Sequence, residues 1–183
     1  AGQVFSLNYQ NYKINWLMNL KNTSSSEEFG LFYSSPIVAK DDSVYVSSFQ
    51  STVSIDSHYG KINWEIPFGT KVRPVISEKF IFLVSTDGFI LNADIKSGKI
   101  IWSKKIFNSK EFNLKKIGEI TSMILVSNQL LLATKNGYFF FINYKNGNII
   151  NYVKVAKGFY SKPIIVNGKI YIIDKSLRLL ALD

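Results

Sequence analysis

A four-residue phrase, Lys-Ile-Asn-Trp, stands at Lys13 to Trp16 and again at Lys61 to Trp64, and a near copy, Lys-Ile-Ile-Trp, at Lys99 to Trp102. Together the three phrases hold every tryptophan of the chain. Each ends a longer match, running Phe5 to Trp16, Val53 to Trp64 and Leu91 to Trp102. A fourth copy, Phe140 to Asn151, puts asparagine where tryptophan stood. Asn8, Asp56, Asp94 and Asn143 share one column; Gly60, Gly98 and Gly147 lie four residues later, with Tyr12 in that place in the first copy. Upstream, Pro36, Pro74, Ser122 and Pro163 form another column, spaced by 38, 48 and 41 residues. A period of about forty residues dictates a repeat architecture before any single element is read.

Every unit follows one grammar. An apolar run after proline (Pro-Ile-Val-Ala, Pro-Val-Ile-Ser, Pro-Ile-Ile-Val) reads as a buried inner strand. Turn residues such as Asp41-Asp42-Ser43 or Asn167-Gly168-Lys169 follow, then a β-branched and aromatic run such as Val44 to Ser48 or Phe80 to Ser85. Asp87-Gly88 and Asn136-Gly137 match tight hairpin turns. The third strand ends at the Asp/Asn column, whose side chain caps a turn that Gly60, Gly98 or Gly147 completes. The fourth strand carries the tryptophan, which is expected to wedge one unit against the next. No stretch shows sustained helical periodicity between caps. The fold class is therefore all-β, a β-propeller of four-stranded antiparallel blades with about four blades in this chain. As one partial propeller domain over 1–183, it divides into a strand remnant at 4–20, blades at 33–68, 71–107 and 118–156, and an incomplete final blade at 160–183.

Of the 183 residues, 46% are hydrophobic and 15% aromatic, enough for a packed core. No apolar run is long enough for a spanning helix, and Ala1 to Asn8 lacks the basic head and apolar stretch of a signal peptide. With no cysteine, disulfides and thiolate chemistry are excluded. The net charge of +9 comes with heavy use of Lys, Asn, Ile, Phe, Tyr and Ser. The lysines read as scattered, in short pairs such as Lys104-Lys105 and Lys115-Lys116, which argues against a nucleic-acid partner.

Catalytic, cofactor and metal positions are expected to be none. His58, the one histidine, sits within the turn Asp56 to Gly60, and Asp41-Asp42-Ser43 is not followed by alternating oxygen ligands. The glycines occur singly in turns rather than in a phosphate loop. Two inserts exceed the blade grammar, Lys21 to Phe32 and Asn108 to Ile120. Loops on a rigid scaffold are where binding resides. Glu27, Glu28, Phe29 and Phe32 of the first insert and Phe112, Leu114 and Lys115 of the second are the candidate partner-binding residues.

The recurring columns, read together, resemble the PQQ-type propeller repeat over nearly the whole chain. The end of the chain, Phe141 to Asp183, is most similar to the BamB branch of that family, the scaffold lipoproteins of outer-membrane β-barrel assembly. That resemblance implies half of an eight-bladed ring, a periplasmic location at the outer membrane through a lipid anchor outside this chain, and docking to a BamA-like POTRA domain through interblade loops. The aspartate pair that serves such docking in the family falls on Leu31 and Tyr33 here, with Glu27 and Glu28 the nearest acids. The other branch, the quinoprotein dehydrogenases, implies a quinone stacked on tryptophan above Ca²⁺. Here the tryptophans already belong to the repeat, and the vicinal disulfide of many such enzymes is impossible. A generic envelope interaction module is the third reading. Strand Ile14 to Leu20 is placed to pair beside Leu177 to Leu182, within a small ring or between two copies of the chain. Light scattering tests the two-copy ring, since a clean 20.8 kDa monomer contradicts it.

Overall fold

A computed structural model describes residues 2–20, 34–48, 50–107 and 112–182. The chain forms consecutive antiparallel sheets, each built in sequence order. Strands β1 (Gln3–Leu7) and β2 (Ile14–Asn19) form a two-stranded unit. The first full blade holds β3 (Val38–Lys40), β4 (Ser43–Ser47), β5 (Thr52–Asp56) and β6 (Ile62–Ile66). The second holds β7 (Val75–Ile76), β8 (Phe80–Val84), β9 (Phe89–Asp94) and β10 (Ile100–Lys105). The third holds β11 (Ile120–Val126), β12 (Gln129–Thr134), β13 (Tyr138–Asn143) and β14 (Ile149–Lys154). The final sheet has three strands, β15 (Ile164–Val166), β16 (Lys169–Ile173) and β17 (Leu179–Leu182). Among the described residues the one α-helix is the short α1 (Leu114–Ile117), and no helix is long and apolar enough to cross a membrane.

Successive sheets pack face to face. Val4 meets Val46, Val53 and Ile55; Tyr45, Trp64 and Ile66 meet Ile81, Leu83, Leu91 and Ala93. Phe82, Val84 and Ile90 join Met123, Leu130, Leu132 and Phe140, and Leu131, Ala133 and Phe139 meet Ile172. The middle strands are covered on both faces, which is why Ile81 to Val84 and Leu130 to Ala133 are continuous apolar runs rather than alternating ones. First strands β3, β7 and β11 line a shared hollow of about 470 Å³ at the centre of the arc.

The turns follow the chemistry of their residues. Ser127-Asn128 and Asn167-Gly168 both take positive φ in two-residue hairpin loops, the geometry that matches strand twist. Asp87-Gly88 and Asn136-Gly137 are not such two-residue turns. They end longer loops, in which the Gly88 N–H donates to the Ser85 carbonyl and the Gly137 N–H to the Thr134 carbonyl. Strand β2 pairs only with β1 and β17 only with β16, so the predicted pairing of Ile14 to Leu20 beside Leu177 to Leu182 is not formed within the chain.

Candidate partner-binding face

The tryptophan and glycine columns are two halves of one contact. A methyl group placed on Gly98 would lie 2.8 Å from the Trp64 ring, one on Gly60 would lie 2.6 Å from Trp16, and one on Gly147 would lie 2.6 Å from Trp102. Each indole N–H also donates into the neighbouring turn: Trp16 to the Ser57 carbonyl at 2.8 Å, Trp64 to Ile95 at 3.0 Å and Trp102 to Tyr144 at 3.2 Å. A register shift precedes the tryptophan in every copy, between β1 and β2, β5 and β6, and β9 and β10, and it recurs at Asn151 between β13 and β14. Such a bulge re-aims the following side chain, and here it turns the indole toward the next blade. The Asp column closes the same turns, with Asp56 Oδ1 accepting from the His58 and Tyr59 N–H groups and Asp94 Oδ1 from Lys96 and Ser97. Hydrogen bonds from the Ser97 hydroxyl and backbone hold the Asp94 carboxyl below its ordinary range.

Rigid blade-to-blade contacts leave two sets of loops on the opposite edge, those joining second to third strands and those crossing between blades. The crossing from β10 to β11 is pinned at several points. Phe107, Phe112 and Ile117 are buried in the core, with Phe112 edge-on to Phe140 and Tyr152. Asn113 caps α1 by accepting from the Lys115 N–H at 2.9 Å, and the Asn136 side chain donates to the Lys115 and Lys116 carbonyls. The Thr134 hydroxyl donates to Ile117 O at 2.8 Å, and the Ile120 N–H reaches Thr86 O in the blade before. Outward on this crossing are Asn113, Leu114, Lys115 and Lys116, followed by Glu119. Phe112, expected at a partner surface, is instead an anchor that fixes this ledge, because its ring is only 6% exposed. Glu27, Glu28, Phe29 and Phe32, with Leu31 and Tyr33, lie outside the described residues.

The family profile described as outer membrane protein assembly factor BamB matches residues 1–104, more than half of the chain. This chain belongs to the BamB family. A relative from Shewanella oneidensis, an outer membrane protein assembly factor BamB, is 26% identical over 182 residues, which are 97% of this chain and 44% of that protein. The protein of the same name from Escherichia coli K12 is 21% identical over 175 residues, 93% of this chain and 43% of its own length. The chain thus spans less than half the length of these curated relatives. The crystal structure of BamB from Moraxella catarrhalis superposes with a TM-score of 0.78 at 13% identity, covering 98% of this chain and 52% of that one. A computationally designed protein, Ika8, reaches 0.64 at 11% identity over 80% of this chain and 44% of that one. These structural likenesses establish the propeller fold.

Within this BamB-family fold, the geometry of the remaining chemical groups is plain. His58 is exposed, and its Nδ1 faces both the Ser57 hydroxyl at 3.4 Å and Asp42 at 3.9 Å. Because both contacts use one ring nitrogen, the imidazole cannot relay a proton between them. The indole rings that a quinone would need are covered by the Gly60, Gly98 and Gly147 turns. Tyr12 takes the glycine place with φ 57, which its exposed turn tolerates. Charge is not evenly spread. Residues 135–183 hold eight Lys and Arg against two Asp, six of the nine net positive charges. The lysines themselves stay scattered, as the sequence suggests; the positive excess over 135–183 comes from the scarcity of acids across the last two blades.

Proposed function

We propose that this chain is a non-enzymatic scaffold of outer-membrane β-barrel assembly, acting on the periplasmic side of the membrane and presenting interblade loops to the POTRA domain of a BamA-like protein. Membership of the BamB family supports the assembly role. The observation that carries the docking mode is the pinned β10–β11 crossing, in which buried Phe107, Phe112 and Ile117 hold Leu114, Lys115 and Lys116 on the surface. An apolar and basic ledge whose backbone is already ordered docks without the cost of ordering a free loop. Full activity as an assembly factor belongs to relatives about twice this length, so ring completion is part of the same reading. The outer faces of the end sheets, with Phe5, Leu7 and Leu17 at one end and Ile164, Val166 and Leu179 at the other, are exposed and suit further blades or a second copy.

Retention of the chain on an immobilised cognate BamA periplasmic domain tests the reading. Binding at low salt is expected, and Leu114→Asp with Lys115→Glu is expected to weaken it by about tenfold or more through lost contact and reversed charge. No retention of the unaltered chain removes the scaffold reading. Unchanged retention of the variant moves the contact away from this ledge.

A further inference from the structure

The loop between second and third strands is one structure used repeatedly, and the last blade has rebuilt it. In the second blade Ser85 accepts from the Phe89 N–H, and in the third Thr134 accepts from Tyr138. In the final blade Asp174 accepts from the Arg178 N–H at 3.0 Å, and the Leu177 N–H donates to Asp174 O as Gly88 and Gly137 do in the earlier turns. The turn thus keeps its bonds while its residues change. Leucine replaces glycine at a positive φ of 60, and arginine replaces the aromatic residue of the second and third blades, Phe89 and Tyr138. A bulky residue in the left-handed region is costly, yet Leu177 gains no packing there, being 72% exposed.

The rebuilt turn is locked to the neighbouring crossing. The Lys175 N–H donates to Gly158 O at 3.0 Å, and Tyr160 N–H to Ile173 O at 2.8 Å. Gly158 leaves room for the Lys175 stem and the Lys135 carbonyl, since a methyl group there would lie 2.6 Å from Lys175 Cε and 2.7 Å from Lys135 O. Between the loops is a cavity of about 290 Å³ lined by Lys157, Gly158, Asp174, Lys175, Ser176 and Arg178. Buried Asp174 holds the Arg178 guanidinium through Nε at 2.9 Å and Nη2 at 2.7 Å, while the arginine side chain stays largely exposed. The Arg178 N–H, its guanidinium and the Ser176 N–H together hold the Asp174 carboxyl below its ordinary range. Among the described residues no acidic side chain pairs with Lys135, Lys157 or Lys175.

We propose that this turn and the 157–160 crossing form a docking surface for an anionic lipid bilayer, with headgroup phosphates over the cavity and Leu177 and Tyr160 at the interface. Three features favour lipid over an acidic peptide. Lysine ammoniums are compact point charges without a fixed fork geometry, suited to headgroups that move. One of the two guanidinium edges that could clamp a carboxylate, the Nε side, is already committed to Asp174. Exposed leucine and tyrosine beside lysine stems match the depth profile of a membrane interface. The proposal stands apart from the scaffold reading, because it concerns a different blade and a different partner.

Sedimentation with vesicles tests it. The chain is expected to bind vesicles of phosphatidylcholine and phosphatidylglycerol in equal parts at low salt, and not vesicles of phosphatidylcholine alone. Lys157→Gln with Lys175→Gln is expected to weaken binding about thirtyfold. Leu177→Gly, which restores the repeat's own residue and so relieves the backbone, is expected to weaken it about tenfold. Lys96→Gln with Lys99→Gln, on the opposite edge, leaves it unchanged. Absence of binding to the anionic vesicles overturns the proposal, and so does an equal effect of the opposite-edge pair, which reports diffuse charge alone. Capture of a polyglutamate peptide without vesicle binding assigns the surface to a protein acid instead.

Discussion

Replacing Trp64 with alanine is expected to destabilise the chain by about 3–5 kcal/mol, read from its urea unfolding midpoint and slope. The indole is 8% exposed and packs among Tyr45, Ile66, Ile81, Leu83 and Leu91 at the seam between two blades. Its removal opens a cavity at that seam and leaves the Ile95 carbonyl without its donor. A loss below about 1 kcal/mol contradicts the wedge. The reciprocal change makes the test specific. Gly98→Ala forces a Cβ to within 2.8 Å of the Trp64 ring at a φ of +70, so crowding of about 1–3 kcal/mol adds to backbone strain of about 1–2 kcal/mol. In the Trp64→Ala background the crowding disappears and the strain remains. The double variant should therefore lose less than the sum of the singles, by about 1–3 kcal/mol. Additive losses would show that the two columns do not meet.

That contact marks the line between what the residues announce and what they conceal. The tryptophan and glycine columns are both legible in the sequence, and each has a local explanation: an aromatic that packs, and a glycine that turns. Their meeting is not legible, because Trp64 and Gly98 belong to different blades and only the packing of successive sheets joins them. The bulge that aims the indole is hidden for a similar reason. The residue before each tryptophan varies among Asn15, Asn63 and Ile101, so no side-chain signature gives it away.

The candidate site was legible as a segment and misread within it. Phe112 and Leu114 look alike in a loop of mixed charge, and sequence spacing alone does not say which turns inward. The neighbours decide: Phe107, Phe140 and Tyr152 form an aromatic socket around Phe112, drawn from three separate parts of the third blade and its entry. The rebuilt turn of the last blade had a signal available. Aligned with Ser85 to Phe89 and Thr134 to Tyr138, the stretch Asp174 to Arg178 departs at its first, third, fourth and fifth positions together. A departure from the repeat carries more functional information than the repeat itself, since packing already explains the columns that recur.

The connection into that last blade rests on a single hydrogen. Gly137→Ala is expected to cost about 2–5 kcal/mol, combining backbone strain at φ +82 with severe overpacking. The added methyl would lie 2.2 Å from Ala156 O and 2.9 Å from Gly158 N, and backbone atoms of a neighbouring strand exit cannot rotate aside as a side-chain end can. The same residue accepts from Val155 N–H at 2.9 Å and from Ala156 N–H at 3.3 Å, so moving it also loosens the crossing toward the final sheet. Gly168 supplies the matched comparison. Its φ is +79, but nothing lies within 4 Å of a Cβ built there, so Gly168→Ala should lose only the strain of about 1–2 kcal/mol. Equal losses at the two positions would place the whole effect in the backbone angle and none in the close approach. A larger loss at Gly137, with faster amide exchange in β15 to β17 than in β8 and β9, would show that this approach holds the last blade, and with it the basic turn, against the rest of the arc.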